Sequence, residues 1–177
     1  MPESTSNLIQ TALNAPLIMH TRKNHGLEHA TLHILSRRRP GLRLAGHSNP
    51  GGFWLIGNVP TAEVESAIQE ALRRLRAGEY NLAIHPNCGT NLVTIGMLGG
   101  LAGGVAMLGA GKRFRDKLAR LPLAFTLATL GAMLAQPLGA RLQERVTTFP
   151  DPGTLEVEKI IVTRRGGVTA HRILTRE

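Results

Sequence analysis

Residues 92–142 read LVTIGMLGGLAGGVAMLGAGKRFRDKLARLPLAFTLATLGAMLAQPLGARL, two long apolar runs on either side of a short basic stretch. Leu92 to Gly111 is twenty residues without a charge, the length that crosses the roughly 30 Å hydrocarbon core of a bilayer at about 1.5 Å per residue. Leu121 to Leu142 repeats the pattern. Its strongly polar members are Gln136 and Arg141, and Arg141 stands at the end, where a long cationic side chain can snorkel to the headgroups. The intervening KRFRDKLAR leaves room only for a tight turn, so the reading is an antiparallel transmembrane helical hairpin over 92–142. Within the first run, Gly99/Gly103 and Gly100/Gly104 are small-xxx-small pairs. Such glycines cost about 1 kcal/mol each relative to Ala in water, whereas in lipid they let two backbones approach closely. The competing reading is a glycine-rich hairpin buried inside a soluble protein, and two consecutive runs of this length argue against it.

Working outward, the net charge of +9 is uneven: +3 over 1–91, +5 over 92–142 and +1 over 143–177. Five cations fall between Lys112 and Arg120, where anionic headgroups would lie, so the expected partner is a lipid bilayer. Aromatic residues make up only 3% and no basic helix or stacking platform appears, which argues against nucleic acid. The glycine-rich helix is also the expected contact for a homo-oligomer or another membrane protein. A basic loop argues that the loop is cytoplasmic, yet that arrangement would export the N-terminal ninety residues. Met1 to Gln10 has no basic start followed by an apolar core, hence no secretory signal, and the soluble part is therefore expected on the cytoplasmic side of the cell membrane. The single cysteine, Cys88, allows no internal disulfide.

The flanks read as one α+β soluble domain: a small mixed sheet with two helices, interrupted by the transmembrane hairpin. Asn7 to Met19, broken by Pro16, suits a short interfacial or packing helix. Asn24 to Arg38 reads as a helix stopped by Pro40-Gly41. Leu42 to Gly46 and Phe53 to Gly57 alternate as strands around HSNPGG, and Tyr80 to Ile84 reads as a further short strand. Between them Val64, Ala67, Ile68, Ala71, Leu72 and Leu75 form the apolar face of a helix that begins at Thr61 and ends at Gly78. After the membrane segment, Leu155 to Thr163 and Val168 to Leu174 flank RRGG, a hairpin signal. The division is thus a soluble part over 1–91, the membrane hairpin over 92–142, and a C-terminal β-hairpin over 143–177 that joins the sheet of 1–91.

Chemistry concentrates in two motifs. His25-Gly26-Leu27-Glu28-His29 is an H-x-x-E-H pattern, with His33 one turn further on. At about 100° per residue the three histidines fall within about 80° of arc, opposite Leu27, Thr31, Ile34 and Leu35. Glu28 falls at the boundary between the apolar face and His25. His25 and His29 can therefore share one zinc ion, with Glu28 beside it to polarise a water. The plainer reading is an exposed histidine stripe with Glu28 in a surface pair. His85-Pro86-Asn87-Cys88-Gly89-Thr90 adds two potential ligands, His85 and Cys88, three residues apart at the entrance to the first membrane run. Its plainer reading is a turn in which Cys88 is a small buried hydrophobe.

The pair HGLEHAT (25–31) and HPNCGTN (85–91), followed at once by a membrane hairpin, resembles an uncharacterised family of small bacterial membrane proteins. It is similar, more distantly, to the YqhQ-like membrane proteins, which carry an HGAEHK-type motif and then H-x-x-C-G-T before apolar helices. The resemblance spans roughly residues 20 to 142 and carries over His25, Glu28, His29, His85, Cys88, Gly89 and Thr90. The sequence departs from the YqhQ-like pattern at Ala30, where those proteins have lysine, and in a longer insert between the motifs. H-x-x-E-H also resembles the inverzincin peptidases, whose third ligand is a distant glutamate. Here that distance lands in the glycine-rich run, which holds no acid, so His85 or Cys88 would complete the shell.

Two functions compete. One is a membrane-anchored zinc-dependent hydrolase, peptidase-like, with His25, His29 and His85 or Cys88 on the metal and Glu28 as general base. The other is a non-catalytic membrane protein whose His/Cys cluster is a structural metal site or a hydrogen-bonded clasp. A basic peripheral adaptor without metal would leave both motifs unexplained.

Overall fold

The computed structural model describes residues 2–177; Met1, where the expected soluble part begins, lies outside the described residues. The chain divides into two compact units, one made of 1–85 with 144–177 and the other of 86–143.

In the first unit, α1 (Pro2–Leu13) precedes α2 (Pro16–Arg38). The helix expected from Asn24 begins two turns earlier, because Pro16 occupies its first turn, where a missing N–H costs nothing and a fixed φ is already helical. The helix ends where the Arg39 N–H closes on Leu35 O and Gly41 turns the chain at φ +85°. Strands β1 (Ala45–Asn49), β2 (Gly52–Ile56), β3 (Glu156–Arg165) and β4 (Val168–Arg176) form one sheet in the order β1-β2-β4-β3. Every neighbouring pair is antiparallel, which corrects the expected mixed sheet. The reason is local: two tight hairpins can each make only antiparallel pairs, and they meet with β2 running against β4. The second hairpin turns at Gly166 and Gly167, both in the left-handed region that a two-residue turn of this hand requires.

Tyr80–Ala83 is a 3₁₀ turn, and the strand expected there does not form. Its N–H groups bond locally, Leu82 to Glu79 O and Ile84 to Asn81 O, while Leu82 and Ala83 enter the core. α3 (Thr61–Arg76) buries the six apolar residues of its predicted face and stops at Gly78, φ +90°. The short helix expected over Asn7 to Met19 is divided at Pro16 between α1 and the first turn of α2, which gives this unit three α-helices among the described residues.

Period-two alternation places Phe53 and Leu55 of β2 beside Ile173 and His171 of β4. They pack with Leu27, Ala30, Ile34 and Leu35 of α2 and the buried face of α3. The outward residues Trp54 and Arg172 pair across the strands, the guanidinium 5.5 Å from the indole ring.

The second unit is a helical hairpin of α4 (Gly89–Met107) and α5 (Phe114–Leu142), the latter continuing through a π-helical turn, Gln143–Thr147. α5 starts inside KRFRDKLAR, so only Lys112 and Arg113 of that segment lie in the turn; Asp116 accepts the Arg113 N–H and caps the new first turn. Both helices are long and apolar enough to cross a membrane. Gly99 and Gly103 fit against Ala124, Ala128 and Ala132, and Gly131 fits against Leu98 O and Ala102. The outer row, Gly96, Gly100 and Gly104, meets nothing within 4 Å.

Candidate metal centre

α2 carries the candidate centre on the face it turns toward Ala83 and Ile84. Successive turns present His25, His29 and His33, and each ring is fixed by a backbone carbonyl. His25 Nδ1 donates to Thr147 O at 2.9 Å, His29 Nδ1 to Ala83 O at 2.7 Å, and His33 Nε2 to Ile84 O at 2.8 Å. A carbonyl only accepts, so the bonded nitrogen carries the proton. The neutral ring then has its lone pair on Nε2 in His25 and His29, and on Nδ1 in His33. The His25 and His29 rings lie 4.3 Å apart between centroids and present ring nitrogens within 4.8 Å of each other. His85 stands beside them, its ring 5.7 Å from that of His29 and 4.7 Å from that of His33. Burial, then the neighbouring His33 and His29, push the His85 pKa down to about 4. His85 is therefore neutral at physiological pH.

Glu28 is only 4% exposed and points at β1. Ser48 Oγ donates to its Oε2 at 2.5 Å, and its carboxylate fills the space a side chain on Gly46 would need. Burial raises the Glu28 pKa, against the opposing pull of the Ser48 hydrogen bond and of His25 and His47. Gly26 is a close-approach glycine: a Cβ there would stand 2.7 Å from Phe149 O. One turn earlier the buried Arg22 guanidinium donates to Arg145 O and Thr148 O. The Phe149 N–H returns a bond to Arg22 O at 2.9 Å.

In the second unit, Cys88 is buried at the N-cap of α4. Asn91 Nδ2 donates to Pro86 O at 2.8 Å and its Oδ1 accepts from Gln143 Nε2 at 2.7 Å, tying the HPNC turn to the end of α5.

The first unit thus sets His25 beside His29, and His85 beside His29 and His33, and turns the Glu28 carboxylate toward β1. Sequence reasoning missed Ser48, Arg22, Thr147 and Gln143. Each acts across a long sequence separation, and only the placement of Asn91 inside HPNCGTN marked its group in advance.

The model of a family described as a domain of unknown function, DUF6391, matches residues 20–160. An uncharacterised protein of Picosynechococcus sp. (strain ATCC 27264 / PCC 7002 / PR-6) is 37% identical over 153 residues, covering 81% of this chain and 72% of the relative. No solved structure matches.

Proposed function

Because the chain belongs to the DUF6391 family, whose description names no activity, we propose a function from its own residues: a membrane-anchored, zinc-dependent hydrolase. α4 and α5 cross the bilayer of the cell membrane, with the soluble unit on the cytoplasmic side. The ligands are His25 and His29, with Cys88 of the HPNC turn as the third and His85 as the alternative third. Nitrogen and thiolate donors together favour zinc over the hard cations. The observation that carries the reading is the pair of Nδ1–carbonyl bonds. Metal-bound histidines characteristically give their second ring nitrogen to a carbonyl or carboxylate, which fixes the tautomer and aims the lone pair. The bound ion would supply Lewis acidity. Glu28, oriented by Ser48, accepts the proton of the attacking water and delivers it to the leaving group, and the likeness of HGLEH to the H-x-x-E-H peptidases supports that role.

The test is metal content of the full chain in detergent, for the wild type and for His25→Asn. Asn keeps a donor for Thr147 O but lacks Nε2. One zinc per chain in the wild type and loss in the variant are expected; no transition metal, or unchanged content in His25→Asn, overturns the reading.

A second reading, a closed structural site, is favoured by the 2% exposure of His29. Cobalt substitution separates the two. An open position binds azide and shifts the ligand-field spectrum, and a four-ligand site does not. Glu28→Gln should then keep the metal and lose turnover only in the open case.

A further inference from the structure

The α1–α2 corner leaves its apolar side chains uncovered. Leu8 and Leu17 are each 70% exposed, Ile9 56% and Ile18 42%. From Asn7 to Thr21 the chain has no Asp, Glu, Lys or Arg. A soluble surface seldom gathers such residues without a charge among them.

The first unit itself says what lies beside this corner. Arg22 Nη1 donates to Leu13 O at the end of α1, while its Nη2 donates to Arg145 O. Two hydrogen bonds and the width of one guanidinium hold those carbonyls less than about 9 Å apart. Arg145 is three residues beyond Leu142, the end of α5. The end of a bilayer-crossing helix sits at the headgroups, so the corner stands at that depth.

We infer that the α1–α2 corner is a lipid-docking surface, in which Leu8, Ile9, Leu17 and Ile18 enter the headgroup–acyl boundary beside the exit of α5. The inference rests on the reading that α4 and α5 span a bilayer. Lacking charge, the corner binds by burial of apolar area alone, and its attachment is insensitive to salt and to anionic lipid.

The experiment uses the full chain in phosphatidylcholine nanodiscs, in a Cys88→Ser background. Single cysteines replacing Ile9, Leu17, Ser36 or Met97 are nitroxide-labelled and compared for relaxation by oxygen, which concentrates in lipid, and by a water-soluble nickel chelate. Ile9 and Leu17 sites are expected to follow the Met97 site in the span, and the exposed Ser36 site to follow water, unchanged in high salt. If the corner sites match Ser36 while Met97 reads lipid, the inference fails and the membrane reading stands. If Met97 reads water, the membrane reading fails and the inference with it. Shielding of Ile9 and Leu17 from both reagents would mean that protein, such as a second copy, covers the corner, and overturns the lipid assignment. Should Cys88→Ser not fold, Leu17→Trp in a Trp54→Phe chain reads the same depth: strong quenching of the new indole by lipids brominated near the headgroup supports docking, and none overturns it.

Discussion

Gly26→Ala tests whether the return segment after the α4–α5 hairpin is packed against α2 as described. In an unhindered helix interior this substitution stabilises by about 1 kcal/mol, because Ala loses less backbone freedom on folding. At Gly26 the new Cβ would stand 2.7 Å from Phe149 O and 3.4 Å from Ala83 Cβ. Ordinary contact requires the carbonyl to retreat by about half an ångström or more. The Phe149 N–H bond to Arg22 O resists that movement, and overpacking of this kind costs about 1–3 kcal/mol. The balance is a net loss of about 0–2 kcal/mol, opposite in sign to an open glycine. Gly89, with nothing within 4 Å, is the control, and Gly89→Ala should be neutral or slightly stabilising. Moving Phe149 also disturbs Thr147 O, two residues earlier, which holds His25 Nδ1. Outer partners of metal-bound histidines are worth about 10–100-fold in affinity, so Gly26→Ala should weaken zinc binding by about tenfold. Thermal unfolding in detergent and zinc competition with a chelator measure the two effects. A Gly26→Ala chain that is more stable than the wild type, with unchanged zinc affinity, would refute the packing of 145–149 on α2.

Ser48→Ala removes the hydroxyl that donates to the buried Glu28 carboxylate and should cost about 1–3 kcal/mol at pH 7 in denaturant unfolding. The penalty should shrink as pH falls and Glu28, its pKa raised by burial, takes up a proton; a penalty that does not change with pH would contradict it. His171 is buried beside Thr61 with its pKa lowered by desolvation, so the unfolded chain protonates first as pH falls. Its contribution is complete above about 6.5, the ordinary histidine value, and is lost as pH drops through it, so His171→Gln should flatten the stability profile between pH 7 and 5. Gly103→Leu should split the α4–α5 hairpin and lower its melting temperature, since Ala128 Cβ and Ala124 O already lie 3.2 and 3.3 Å from the new Cβ. Gly104→Leu should leave the hairpin intact and, where the outer glycine row seats a second copy, shift the protein to monomer in cross-linking.

What was legible in the sequence were the features with a short period. The α3 face, the Gly166-Gly167 turn and the two apolar runs each announce themselves within twenty residues or so, and the structure forms all three. Tyr80–Ala83 misled because alternating apolarity over five residues fits a 3₁₀ turn with two buried side chains as well as it fits a strand. Sheet order depended on β2 finding β4, more than a hundred residues away, and nothing local encodes that pairing. In the site, helical spacing was enough to put His25 and His29 on one face. Ser48 was invisible because a lone serine in a strand has no signature until the strand's partner helix is known.

On the proposed function the same α2 residues serve two tasks. Ala83 and Ile84, whose carbonyls meet His29 and His33, lie just before the chain enters the hairpin; Thr147 and Phe149, which meet His25 and Arg22, lie just after it returns. A helix that grips both connections with histidine nitrogens fixes the orientation of each ring. Tethering and ligand orientation are then one set of hydrogen bonds. Ala at these positions would confound the two, because it removes tether and ligand at once. Asn separates them for His25 and His29, since its amide replaces Nδ1 and leaves nothing where Nε2 was.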